Sequence, residues 1–282
     1  MLSSYHRFSP RAGSLVGDFF AKPWIDAPVL DGKEGGAFCA FATPDLHPYV
    51  MVNFTGKLVD ALVLAHELGH GLHDRLASER NHIFDYHPPL TLAETASVFG
   101  ETLTFDAVMS QESDPKIRLS MLCHQVEDSF ATIFRQVAMN RFEDAVHTAR
   151  RAEGELSADQ IGTLWQERIQ AMFADSLQLT EEHRDWWSYV GHYVRAPGYV
   201  YAYAFGNLLA LSIYQRYREL ESPAFVDRYL DFLALGGSTS PEEAVRQVGL
   251  DTADPKFWDS GLDIVAGMVS EVERLAATPP VA

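Results

Sequence analysis

The chain has 282 residues and a formal net charge of −17, with 47% hydrophobic and 22% charged residues. That length can bury a core as one large domain or two modest ones, and the acidity makes a nucleic-acid backbone a poor partner. No run approaches the roughly 20 apolar residues of a membrane-spanning helix. The first residues, MLSSYHRFSPRAG, lack a basic stretch followed by an apolar core, so no secretory signal is expected. Two cysteines, Cys39 and Cys123, are too few for a disulfide framework, and a reducing cytoplasm is the expectation.

Residues 1–27 read as helical, with Ser9-Pro10 opening a helix and Leu15, Phe19 and Phe20 spaced along one face. Asp31-Gly32 and Gly35-Gly36 mark a turn-rich segment. Residues 37–42 and 49–54 read as two short strands, split by Pro44 and Pro48. Everything beyond Gly56 reads as helix: 57–76, a loop over 77–90, 91–110, 115 to about 150, 157–177, 180–193, 199–220, 223–235, 241–248 and 256–276. Thr91 and Glu94 fit a capping box at the start of the 91–110 helix. The expected fold is mainly α, a zincin-like helical catalytic domain over residues 1–282 with a small β-sheet beside the helix that carries the motif below.

That motif is His66-Glu67-Leu68-Gly69-His70. Residues four apart lie one above the other on a helix, so two imidazoles can converge on one zinc ion. Glu67 is rotated about 100° from His66, which lets it face a water molecule rather than the metal. A zinc hydrolase site needs a third protein ligand and an open fourth position. Glu94, 24 residues after His70 and reached through a loop, is the best candidate. Glu101, seven residues further, points the same way and could orient a ligand histidine. His73 reads as core packing or a structural hydrogen bond, and Asp74 as an ordinary surface carboxylate.

The segments GGAFC, PYVMVNFTG, LAHELGHGLHD and LAETASVFGE, from Gly35 to Glu101, resemble the oligoendopeptidase F and thimet oligopeptidase family of zinc metallopeptidases. The resemblance implies His66, His70 and Glu94 as the ligands of one zinc per chain, Glu67 as general base and Glu101 as support for a ligand. Downstream, HYVRAPGYVYAYAFG matches a stretch whose His and tyrosines face the substrate and the developing oxyanion in that family. By position these are His192, Tyr199 and Tyr203, the first two assigned to catalysis and Tyr203 to substrate binding. Family members also carry an N-terminal helical region that forms the opposite wall of the channel. The resemblance therefore implies that this chain matches the C-terminal catalytic half, with self-association through the face that region would cover.

The expected activity is hydrolysis of internal bonds in short peptides. The alternatives are a zinc carboxypeptidase, with Arg195 as the group that would read a terminal carboxylate, and an inactive module that needs the helical half as its partner. Strand 49–54 could offer a free edge to an extended peptide or lie inside the sheet; its sequence fits both.

Overall fold

The structure, a computed structural model, describes residues 1–277. These fall into two compact units, residues 1–122 with 206–277, and residues 123–205. No helix among the described residues is long and apolar enough to cross a membrane. The mainly helical fold with one small sheet is as expected.

The first unit begins with α1 (Leu2–Phe8) and α2 (Pro10–Ala21). The break falls at Ser9, whose hydroxyl accepts from the Ala12 N–H and caps α2, with Pro10 in the first helical position where no amide donor is needed. The buried face of α2 is Ala12, Val16 and Phe19, whereas Phe20 is exposed. Helix does not extend to residue 27. Instead β1 (Ile25–Asp26) pairs in parallel with β3 (Tyr49–Met51), and β2 (Phe38–Ala40) pairs antiparallel on the other side, with Cys39 opposite Val50. The order β1-β3-β2 puts the 49–51 strand in the centre. Its edges are both taken, so β1 and β2 are the edge strands of the sheet.

Helix α3 (Leu58–Ser78) carries the HELGH motif. Asp60 in its first turn accepts from the Lys57 and Thr55 N–H groups at 3.1 and 2.7 Å and from the Thr55 hydroxyl at 2.6 Å, which fixes the start. Leu62, Leu64, Ala65, Leu68, Leu72 and Leu76 are buried along its inner side. The 91–110 segment is not one helix. Helix α4 (Leu90–Ala93) stops at Glu94 and α5 (Thr95–Met109) restarts. The capping box does not form; the buried Thr91 hydroxyl has no hydrogen-bond partner among the described residues.

Helix α5 lies against α3 and buries Phe99 in an aromatic cluster with Phe8 (5.1 Å between ring centres) and Tyr229 (4.4 Å). Tyr5 is buried there too and donates to the Ala65 carbonyl at 3.0 Å. Helix α6 (Pro115–Ser129), the end of α10 (Tyr201–Leu220), α11 (Pro223–Leu233), α12 (Pro241–Gln247) and α13 (Pro255–Ala276) complete this unit. Met268, Val272 and Leu275 of α13 pack on Leu62, Phe105, Met109 and Met121. Both cysteines are free.

In the second unit a π-helical turn, Phe130–Arg135, joins α6 to α7 (Gln136–Glu153) without ending the helix. Helix α8 (Ala158–Phe173) opens on a capping box between Ser157 and Gln160 and buries Trp165 against Phe142 at 5.2 Å. Residues 181–189 form a 3-10 helix rather than the α-helix expected, and the short α9 (His192–Arg195) follows.

Candidate metal centre

Helical spacing on α3 sends His66 and His70 to one side, their ring centres 5.0 Å apart and nearly perpendicular. What they face is set by the break in the next helix. At Glu94 the backbone stands at φ −84°, ψ −1°, between α4 and α5. From that joint the carboxylate reaches both rings: Glu94 Oε2 lies 3.3 Å from His66 Nε2 and 3.4 Å from His70 Nε2. One ligand atom from each of these residues lies within 4.8 Å of the other two, and this trio is the group among the described residues that could hold a metal ion.

Two contacts hold the donors in place. Glu101 Oε2 is 3.2 Å from His66 Nδ1, which leaves Nε2 free to face inward. The Ser97 hydroxyl donates to Glu94 Oε2 at 2.9 Å and to the Glu94 carbonyl at 3.0 Å. Sequence reasoning passed over Ser97; its place three residues after Glu94, one turn along the helix, was the available signal.

Two glycines allow the close approaches involved. A Cβ on Gly69 would collide with the Ala96 carbonyl oxygen, so α3 and α5 can sit this near only with glycine there. A Cβ on Gly206 would lie 2.8 Å from the Glu94 Cβ, so this position of α10 serves packing around the acidic residue rather than backbone freedom.

The electrostatics fit a cation. Withdrawal from water works against a charged His66, but the Glu101 and Glu94 carboxylates outweigh it and push its pKa up to about 10. Burial alone would raise Glu94; hydrogen bonds to His66 and His70 instead hold its carboxyl well below the usual range. Glu67 is buried beside this group. Burial raises its pKa, with Glu94 adding to the effect and His66, His70 and the Cys39 N–H opposing it. A carboxylate held above its ordinary range is better matched to proton transfer near neutral pH.

His66, Glu67, His70 and Glu94 line one cavity of about 330 Å³, together with Phe38 and Cys39 of β2. Two more residues of α3 line it. His73 is buried, as expected for a core histidine, and hydrogen-bonds the Leu233 backbone. Asp74, expected at the surface, is only 5% exposed and lies in the cavity wall.

In the second unit the structure gathers His192, Tyr199 and Tyr203. His192 Nε2 is 3.2 Å from the Tyr203 hydroxyl, the His192 and Tyr199 rings stack at 5.6 Å, and Tyr199 and Tyr203 meet edge to face at 5.1 Å. Tyr201 points away and is exposed. Glu143 Oε1 accepts from the Gly198 N–H at 2.7 Å, tying the loop before α10 to α7.

Two imidazoles on an HExxH helix met by a carboxylate from the next helical segment, within a mainly helical fold, match the architecture of metallopeptidase domains. The model of peptidase family M3 matches residues 11–264, and the chain belongs to that family. It is 26% identical over 275 residues to oligopeptidase PepF of Bacillus subtilis, covering 98% of this chain and 41% of that protein. An oligoendopeptidase F homolog of Borreliella burgdorferi is 28% identical over 254 residues, covering 89% and 42%. Among solved structures, a Chlamydophila abortus protein assigned as a peptidase superposes with a TM-score of 0.83 at 26% identity, over 97% of this chain and 46% of that one. PZ peptidase A with an inhibitor gives 0.75 at 20% identity, a likeness of fold. The chain spans about two fifths of the length of the curated relatives it matches.

Proposed function

We propose that residues 1–282 act as a single catalytic domain of a zinc endopeptidase that cleaves short peptides, with one zinc held by His66, His70 and Glu94. The observation that carries this reading is the convergence of His66 Nε2, His70 Nε2 and Glu94 Oε2 with Glu67 buried beside them. Two imidazole nitrogens and one carboxylate oxygen suit zinc. Calcium or magnesium would call for more oxygen donors than the trio offers.

Zinc bound there would polarise the scissile carbonyl and acidify a water molecule. Glu67 takes the water's proton and passes it to the leaving amine, the task its raised pKa suits. Glu101 holds His66 in the tautomer that presents Nε2, and Ser97 holds Glu94. The free edge of β2, whose Phe38 and Cys39 line the cavity, gives an extended peptide backbone groups to pair with. A hydrogen bond from Tyr199 to the developing oxyanion, with His192 and Tyr203 beside it, rests on the family resemblance and on the mutual contact of the three rings. A cytoplasmic setting suits the two free thiols.

The test is metal analysis of the purified chain together with cleavage of a library of C-terminally amidated peptides. One zinc per chain, lost in His70→Ala, and internal cleavage of amidated substrates are expected. Full zinc retention in His70→Ala, or cleavage that requires a free C-terminus, would overturn the assignment.

A further inference from the structure

Glu67 and Asp74 are seven residues apart on α3. Seven residues bring a helix to within about 20° of two full turns, so the two carboxylates project from the same side, about 10 Å apart along the axis. Both line the same cavity. Glu67 has a task in the proposed reaction; Asp74 does not. It is 5% exposed, yet its carboxylate makes no hydrogen bond or ion pair among the described residues.

The neighbouring cation is committed elsewhere. Arg75 turns from the cavity to pair with Asp18 at 3.1 Å and lies over the Trp24 ring at 5.3 Å. His73 offers no compensation, because burial and the His70 imidazole hold its pKa down to about 3 against the pull of the Leu233 backbone, and leave it neutral. Its Nδ1 is likewise buried without a partner. The same cavity offers apolar wall from Phe38, Phe41 and Pro88, and the Cys39 thiol and Tyr86 phenol feel the Asp74 charge. The cavity lining contains three carboxylates, Glu67, Asp74 and Glu94, and no lysine or arginine. Glu67 and Glu94 have the His66 and His70 imidazoles beside them as favourable partners. Asp74 is left as the buried charge without one. Such a group is costly unless something brings it a cation.

We propose that Asp74 is the floor of a substrate subsite that takes the cationic side chain of a lysine or arginine. The occupant is part of the peptide: an aliphatic stem would run along Phe38, Phe41 and Pro88, and its charged end would meet Asp74. An extended peptide advances about 3.3 Å per residue, so a separation of about 10 Å from Glu67 places the basic residue within about three residues of the scissile bond. This rests on the reading of the chain as a peptidase, and it adds a selectivity that the metal cluster alone does not provide.

The experiment uses the full chain loaded with zinc and silenced by Glu67→Gln. It is titrated with N-acetylated, C-amidated alanine heptapeptides in which a single lysine, norleucine or glutamate is walked through every position. The expected result is one register in which the lysine peptide binds about tenfold more tightly than its norleucine counterpart. That preference should vanish in Asp74→Asn and persist in part in Asp74→Glu. Equal binding of lysine and norleucine in every register would overturn the proposal without any variant at Asp74. A lysine preference unchanged by Asp74→Asn would do the same. Blocked ends separate a side-chain cation from a free α-amine: a preference seen only with unblocked N-termini would reassign Asp74 to the chain end and refute the side-chain subsite. Cleavage of the norleucine peptides by the wild-type chain reads the peptidase activity separately. Lysine selectivity in binding without any cleavage would defeat the peptidase reading and leave the subsite standing; cleavage without selectivity would do the reverse.

Discussion

A buried, unpartnered carboxylate leaves a signature in stability that needs no substrate. Burial raises the Asp74 pKa from 3.8 to about 7, with Arg75 pulling weakly the other way. Between those two values the folded chain holds a proton that the unfolded chain has released, so stability falls as pH rises through that window. The cost is absent below about pH 3.8 and complete above about pH 7. Each tenfold change in acidity is worth about 1.4 kcal/mol, so the ionised side chain costs the fold on the order of 4 kcal/mol, or about 2–4 kcal/mol once local relaxation is allowed. Asp74→Asn keeps the shape and removes the charge. In the metal-free chain at pH 8 it should therefore raise the melting temperature of its unit by roughly 5–10 °C, and near pH 4 the two proteins should melt together. The other titratable groups around the cavity, Cys39 on β2, Glu94, and Glu67, His66, His70 and His73 on α3, with Tyr86 before α4, are common to both proteins and cancel in the difference. Melting curves by circular dichroism from pH 4 to 8, with chelator present, read the effect. A melting difference that does not change with pH, or a less stable Asp74→Asn at pH 8, would refute the picture of a buried charge waiting for a cation.

Glu101→Gln should retain the fold and weaken zinc binding about 10–100-fold, because a neutral amide orients His66 less firmly; competition against a zinc-binding dye reads this. Tyr199→Phe keeps ring packing against His192 and Tyr203 and should lower kcat on the order of a hundredfold with KM little changed, as for loss of one oxyanion donor. Unchanged turnover would return Tyr199 to a packing role. Gly69→Ala puts a methyl group into the Ala96 carbonyl and should cost about 1–3 kcal/mol in denaturant unfolding, together with some loss of zinc affinity, because the two helices that carry the ligands must separate.

The parts of this site that could be read in the sequence are those fixed by helical periodicity. His66, Glu67 and His70 lie within five residues of one helix, and their relation follows from 3.6 residues per turn. Glu94 was legible as a residue but not as a conformation. A capping box with Thr91 implies a helix that starts before Glu94, whereas the observed backbone breaks at Glu94 so that its carboxylate can meet two rings from another helix. Local propensity yielded there to a tertiary contact. The strand β1 was invisible for a different reason: two residues carry no alternation, and they are strand only because Val50 lies beside Ile25. The same non-local pairing decided the question left open at residues 49–54, since a strand's sequence does not say which neighbours it has.

Asp74 shows the sharper failure, and its cause is physical. A charged residue on a helix belongs in water unless something outside the helix covers it. What covers this one is β2 and the segment around Pro88, neither adjacent to it in sequence. The interval of seven residues from Glu67 was nevertheless present, and it ties the two carboxylates to one face. That face of α3 is where the chain sets stability against use. Leu62, Ala65, Leu68, Leu72 and Leu76 bury one side of the helix as an ordinary core. The helix also carries three imidazoles, His66, His70 and His73, and two carboxylates into a cavity of about 330 Å³, where each is unfavourable alone. Most of these groups have partners: Glu94 faces His66 and His70, Glu101 faces His66, the Leu233 backbone bonds His73, and the Cys39 N–H with the imidazoles faces Glu67. Asp74 is the carboxylate of this face left without a hydrogen bond or ion pair among the described residues, and its distance from the base is fixed by the helical rise, which makes a cationic substrate side chain the partner that completes it.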